Sequence, residues 1–182
     1  VLGVLDHPGV DLKVVMAKYG LPDAFPAEVE AEAARVPAAV TEKDIRGRTD
    51  FRSWDTVTVD PETARDHDDA ISLERLPNVG WRLAVHIADV AHYVREGSAI
   101  DQEAYLRGTS VYFPDRVVPM LPHALSSNIC SLVEGQDRLT QTVILELDGR
   151  GAVKKAEFHD GVIRSAARMS YQQVQKIVDG DG

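Results

Sequence analysis

The chain has 182 residues, 44% of them hydrophobic, and a formal net charge of −9. That length buries a real core and makes one domain, or one with a fragment of another, while no apolar run reaches the roughly 20 residues of a membrane span. The acidic balance counts against a protein that grips nucleic acid by surface charge alone. A single cysteine, Cys130, rules out an internal disulfide and a thiolate zinc site, so a reducing compartment, the cytoplasm, is expected, with no membrane partner. The opening stretch VLGVLDHPGV lacks the basic and long apolar regions of a signal peptide. Val1 at the start and VDGDG at the close are expected of a piece cut from something longer.

In chain order, residues 10–20 (VDLKVVMAKYG) space Leu12, Val15, Met16 and Tyr19 at helical intervals and end on a glycine suited to a left-handed cap. A second helix is expected in AEVEAEAARV, with Val29, Ala33 and Val36 on one face. TEKDIRGRTDFR groups Arg46, Arg48 and Arg52 around Gly47 and reads as a linker. From residue 55 strands dominate: DTVTVD, DAISLERL and WRLAVHIADV, the last two joined through PNVG as a hairpin. SAIDQEAYLRG has a serine cap, early acids and a closing glycine, and predicts a helix. FPDRVVPMLP, with three prolines, predicts an extended loop. Two long strands through DGRG and a final helix in SYQQVQKIV complete an α+β chain built on a mixed, largely antiparallel sheet with flanking helices.

TVDPETARDHDDA places Asp60, Asp66, Asp68 and Asp69 within ten positions, between two core strands. An isolated acidic pair would be a solvated turn; here the cluster is hemmed in by core elements. Side chains alternate along a strand, so Asp66 and Asp68 share one face, Asp69 needs a bend to join them, and the PETAR turn returns the chain from Asp60. Crowded carboxylates raise each other's pKa unless a cation intervenes. All-oxygen donors suit magnesium, manganese or calcium rather than zinc. A calcium EF-hand fails, because Ile71 and Pro77 stand where its loop needs glycine and glutamate. His67 points away from the cluster if the segment is extended, and a supporting or surface role fits it better than ligation. Magnesium with open coordination suggests a phosphate substrate, and two ions roughly 4 Å apart would stabilise both oxygens of a phosphodiester cleavage.

Taken together, TVDPETARDHDDAIS, WRLAVHIADVAHYV, GSAIDQEAYLRGTSVYFPDRVVPMLPHALSSNICSL and VIRSAARMSYQQV resemble the ribonuclease II/ribonuclease R family, in the N-terminal half of its catalytic RNB domain, and lean toward ribonuclease R. The resemblance runs from about Arg48 to Val178. It implies residues 46–182 as a partial RNB domain and residues 1–45 as the end of a cold-shock domain with its helical connector. It also implies a processive 3′-to-5′ exoribonuclease that hydrolyses single-stranded RNA to nucleoside 5′-monophosphates by a two-metal mechanism. Magnesium is the implied cofactor, with manganese as a substitute. Asp60, Asp66, Asp68 and Asp69 match the family's metal-binding and catalytic aspartates. Tyr112 matches a tyrosine that stacks on a base near the RNA 3′ end, a contact worth roughly 1–3 kcal/mol. Tyr171 resembles another residue near the RNA, with a helix-face core role as its alternative, and Arg107 is a candidate phosphate contact or else a helix-end arginine that satisfies carbonyls. Asp89 is expected near the site, His86 and His92 in structural roles, and Cys130 in the core.

The family's later half, with an arginine at the scissile phosphate, has no counterpart in these residues, and in the family RNA also borrows positive surface from other domains. A weakly active or inactive fragment is therefore expected of the chain alone, and a monomer. Two other readings stand beside this one: an interaction or structural module with an acidic surface patch, and a metal-dependent nucleotide-sugar transferase using Asp66-His67-Asp68 as a D-x-D motif.

Overall fold

The computed structural model describes residues 9–77, 80–114 and 116–180, in two compact units. The first unit takes the chain up to Arg35 and again from Val94 to His123. Its helices are α1 (Val10–Tyr19), α2 (Ala27–Ala33) and α5 (Ala99–Arg107). Helix α1 stops at Gly20, whose φ of 63° and N–H bonds to the Ala17 and Met16 carbonyls form the left-handed cap that the sequence calls for. Of its periodic residues, Leu12 and Met16 are buried against Val118, Leu21, Val111 and Phe113, whereas Val15 and Tyr19 are exposed. Helix α2 ends before Val36, so Val29 and Ala33 alone carry its buried face. Ser98 caps α5 by accepting from the Asp101 N–H, and the Glu32 carboxylate accepts from the Ala99 and Ile100 N–H groups at the same helix start.

The expected loop around FPDRVV is not wholly irregular. Val111–Tyr112 (β5) and Val117–Val118 (β6) pair antiparallel, and Ser110 Oγ accepts from the Met120 N–H just beyond. The prolines flank these strands rather than interrupt them, which leaves the ladder donors in place.

The second unit comprises Val36–Tyr93 and Ala124–Gly182. Its seven-stranded sheet uses β1 (Thr49–Asp50), β2 (Thr56–Asp60), β3 (Asp69–Leu76), β4 (Gly80–Ala88), β7 (Asp137–Leu147), β8 (Val153–Arg164) and β9 (Ala167–Ser170). Their order is β1-β8-β7-β4-β3-β2-β9. The four inner pairings, β8 with β7, β7 with β4, β4 with β3 and β3 with β2, are antiparallel, and only the edge strands β1 and β9 join in parallel. The sheet is thus mixed and largely antiparallel, as expected. Of the PNVG turn, Asn78 and Val79 lie outside the described residues.

The segment read as a linker is a packed part of this unit. Thr41 and Asp44 form a capping box on the short helix α3 (Glu42–Ile45), β1 pairs with β8, and Phe51 is buried with Ala70, Ala88, Leu132 and Ile163. Arg48 donates to the carboxylate of Asp89 at 2.6 Å and to the carbonyls of Thr140 and Gly161. His92, in the short helix α4 (Val90–Tyr93), links the same arginine to Asp44. Asp89 and His92 therefore tie α3 and α4 to the sheet.

Beneath the sheet the buried face also carries a run of polar side chains. Thr56 Oγ1 meets Ser72 Oγ at 2.7 Å, Ser72 meets His86 Nε2 at 3.1 Å, His86 Nδ1 meets Thr142 Oγ1 at 2.9 Å, and Thr142 meets Thr140 at 2.9 Å. These five side chains on four strands form one chain of hydrogen bonds in which each polar atom has a partner, the condition for burying them without large cost. Gly161 lets β8 close over it, since a Cβ there would stand 2.8 Å from Thr140 Oγ1, 2.9 Å from Thr142 Oγ1 and 3.0 Å from Phe51. Burial lowers the His86 pKa from 6.5 to about 4, so the ring is neutral at pH 7.

Candidate metal centre

Asp60 is the last residue of β2, where it pairs in parallel register with Ser170, and Asp69 is the first residue of β3, opposite Ile87. Between them the chain turns at Pro61, whose carbonyl accepts from the Ala64 N–H, and then runs without regular secondary structure to Asp68. This return path is pinned from two sides. The Asp68 carbonyl accepts from the Ala88 N–H at 2.9 Å, and the His67 carbonyl accepts from the Leu132 N–H at 2.9 Å. His67 N–H in turn donates to Ser131 Oγ, which donates to the Arg65 carbonyl.

The clamping segment is itself anchored. A π-helical turn over Leu125–Ile129 leads into Cys130, Ser131 and Leu132, all buried, and the buried Arg138 donates Nε–H to the Ser131 carbonyl at 2.7 Å. Burial pushes the Cys130 thiol up to about 12, so it is an inert core group, as its sequence context suggests.

Against this rigid frame Asp68 and Asp69 are exposed and Asp66 is partly so. The Asp68 carboxyl titrates above the usual carboxylate range, first through desolvation and then through repulsion by Asp66, Asp69 and Asp60. Because solvent reaches Asp68, part of that repulsion is screened. The electrostatics bring all four sequence-predicted aspartates into one neighbourhood. Even so, among the described residues no group of three or more His, Cys, Asp or Glu side chains is gathered so as to hold a metal ion.

By chemistry, though not yet by placement, the four carboxylates suit a hard divalent cation. Their donors are all oxygen, and the neighbouring imidazole engages one of them: His67 Nδ1 lies 2.7 Å from Asp60 Oδ2. His67 is buried, not at the surface.

The other sequence candidates fall in different settings. Tyr171 opens helix α6 (Tyr171–Asp179), directly after the Ser170 that pairs with Asp60, and is 56% exposed. It stands at the aspartate end of the sheet and is not a core residue. Tyr112 is exposed on β5 in the first unit. Arg107 serves its own unit: it donates to Glu103, to the carbonyls of Pro119 and Ala24, and stacks 3.7 Å from the Phe25 ring centroid. These carbonyls lie outside α5, so the Arg107 guanidinium is engaged by neighbouring segments of its unit and by Glu103 rather than by the end carbonyls of its own helix.

Two cations near the aspartates went unremarked in the sequence. Arg168 and Lys176 line an open groove with Glu62, Ser170, Gln172 and Gln173, and Arg168 donates to the Glu62 carbonyl two residues beyond Asp60. Their shared segment, RMSYQQVQK, carries a basic residue on each side of the helix start, a signal visible only once β9 is known to lie beside β2.

Residues 48–182 match the family model described as RNB domain. The chain is 54% identical to ribonuclease R of Thermotoga maritima, over 98% of its own residues and 26% of that protein. It superposes on Mycoplasma genitalium RNase R in complex with ribose methylated single-stranded RNA with a TM-score of 0.93 at 37% identity, covering 100% of this chain and 28% of that one. The same protein in complex with double-stranded RNA gives a TM-score of 0.94 at 37% identity, covering 100% and 32%. The chain spans about a quarter of the length of the curated relatives it matches.

Proposed function

The chain belongs to the RNB-domain family, and on that premise we propose that it carries the metal-binding aspartate portion of a 3′-to-5′ exoribonuclease acting on single-stranded RNA. The observation that carries the reading is the convergence of Asp60, Asp66 and Asp69 on Asp68, whose carboxyl is held above its usual range first by desolvation and then by their negative charge. A solvated acidic patch would have no reason to be pinned by backbone hydrogen bonds to the Ser131–Leu132 segment and to Ala88.

In this reading Asp60, Asp66, Asp68 and Asp69 hold magnesium, with manganese able to replace it. Bound cations would supply, in the two-ion form, activation of a water toward phosphorus and neutralisation of charge on the leaving oxygen. The chain's own residues orient and charge that site. Asp60 and Asp69 hold fixed positions at strand ends, while Asp66 and Asp68 lie on the irregular stretch between them. Tyr171, exposed beside the Asp60 strand, and Tyr112 supply aromatic faces for bases, a mode of binding indifferent to sequence. Arg168 and Lys176 offset part of the acidic charge at this end of the sheet. Residues 1–45 are read as the end of the preceding domain and its connector, residues 46–182 as the first part of the catalytic domain, and the parent as a cytoplasmic protein.

The test uses an end-labelled single-stranded oligoribonucleotide with magnesium. The parent polypeptide should shorten it from the 3′ end and release nucleoside 5′-monophosphates. The chain alone should leave it nearly intact. Robust release of mononucleotides by the chain alone would contradict the division of labour, and shortening from the 5′ end would contradict the direction.

A further inference from the structure

His67 lies between Asp66 and Asp68, yet it is 5% exposed, whereas Asp68 is open to solvent and Asp66 partly so. Its backbone is fixed at both polar atoms, N–H to Ser131 Oγ at 3.0 Å and carbonyl from the Leu132 N–H at 2.9 Å. Its side chain then reaches back across the turn, and Nδ1 comes within 2.7 Å of Asp60 Oδ2. An ionised carboxylate has only lone pairs to offer, so Nδ1 carries the proton and donates it. The tautomer follows from the partner.

This contact fixes more than the histidine. Asp60 sits at the end of β2, seven residues back along the chain, where a carboxylate would otherwise turn among rotamers. Held through Oδ2, the carboxylate is restrained to one rotamer, and its other oxygen takes no part in this hydrogen bond. Supporting hydrogen bonds of this kind orient metal-binding carboxylates in general, and their loss commonly weakens metal affinity about 10- to 100-fold.

We propose that His67 is a positioning residue for the aspartate centre: its Nδ1–H holds Asp60 through one oxygen and aims the other at the metal. The proposal rests on the reading of Asp60, Asp66, Asp68 and Asp69 as metal ligands. A buried histidine that only fills space beneath the loop is the competing account, and the two differ in what a substitution does. His67→Phe keeps the ring volume and loses the donor. His67→Asn loses volume but keeps an N–H within reach of Asp60.

The experiment is manganese titration of the native chain and both variants, followed by calorimetry and by the electron paramagnetic resonance of free manganese, with thermal melts of the metal-free proteins alongside. The expected result is native binding, a loss of about 10- to 100-fold in His67→Phe, and recovery close to the native affinity in His67→Asn even if its melting temperature is the lower of the two. Affinity in His67→Phe equal to native would overturn the proposal and leave the metal reading standing. Equal losses in both variants would overturn it in favour of packing. Absence of manganese binding in the native chain would overturn the metal reading and this proposal with it. Should His67→Phe fail to fold, nitrogen-15 NMR of the native imidazole decides: protonation at Nδ1 is expected, and protonation at Nε2 alone would overturn the proposal.

Discussion

Strands β2 and β3 each carry polar residues to two destinations, and the two behave oppositely. Under the sheet, Thr56 and Ser72 join His86, Thr142 and Thr140 in a buried chain where every polar atom is partnered. At the strand ends, Asp60 and Asp69 join Asp66 and Asp68 in a cluster of like charges that destabilise one another. The same backbone frame therefore contains a region arranged for stability and one arranged against it. A cation bound at the cluster would relieve that repulsion, which the buried chain has no need of.

Acid separates the two regions most strongly. His86 is fully buried and its pKa is lowered from 6.5 to about 4, so it contributes stability that is complete above pH 6.5 and lost as pH falls toward 4. The loss amounts to about 3 kcal/mol at roughly 1.4 kcal/mol per pH unit. Urea unfolding at pH 7 and at pH 4.5 should show this slope in the native chain and a shallower one in His86→Gln; equal slopes would mean the buried chain does not exclude the imidazolium. Next in size is Gly161→Ala. The added methyl meets Thr140, Thr142 and Phe51 at 3.0 Å or less, and overpacking of this kind costs about 1–3 kcal/mol. The sign reverses at the cluster. Asp68→Asn removes one of four repelling charges and should stabilise the metal-free chain by roughly a few tenths of a kcal/mol, small because solvent screens Asp68. A destabilised Asp68→Asn chain would erase the contrast between the regions.

Much of this was legible in the sequence where the determinants are local. Gly20, Ser98 and Gly108 mark helix ends because caps depend on one residue and its immediate neighbours. The four aspartates were legible because they lie within ten positions. What escaped depends on partners far along the chain. Thr49 and Asp50 form a strand only because Gly161 and Val162 lie beside them, and Arg48 is structural because Asp89 and Thr140 surround it. The β2 strand shows the limit of hydropathy: in TVTV the structure buries the threonines completely and leaves Val57 and Val59 partly open, because the threonines face the buried side of the sheet. The orientation of His67 toward Asp60 was half legible. Alternation turns it away from Asp66 and Asp68, but its partner is set by the Pro61 turn and the Ser131 clamp.

The measurement that bears most directly on the aspartate cluster is manganese binding by titration calorimetry, for the chain as it stands and for Asp68→Asn. Binding that the substitution abolishes is the predicted result. Equal binding by both chains, or none by either, would contradict the assignment of these four carboxylates as a metal centre.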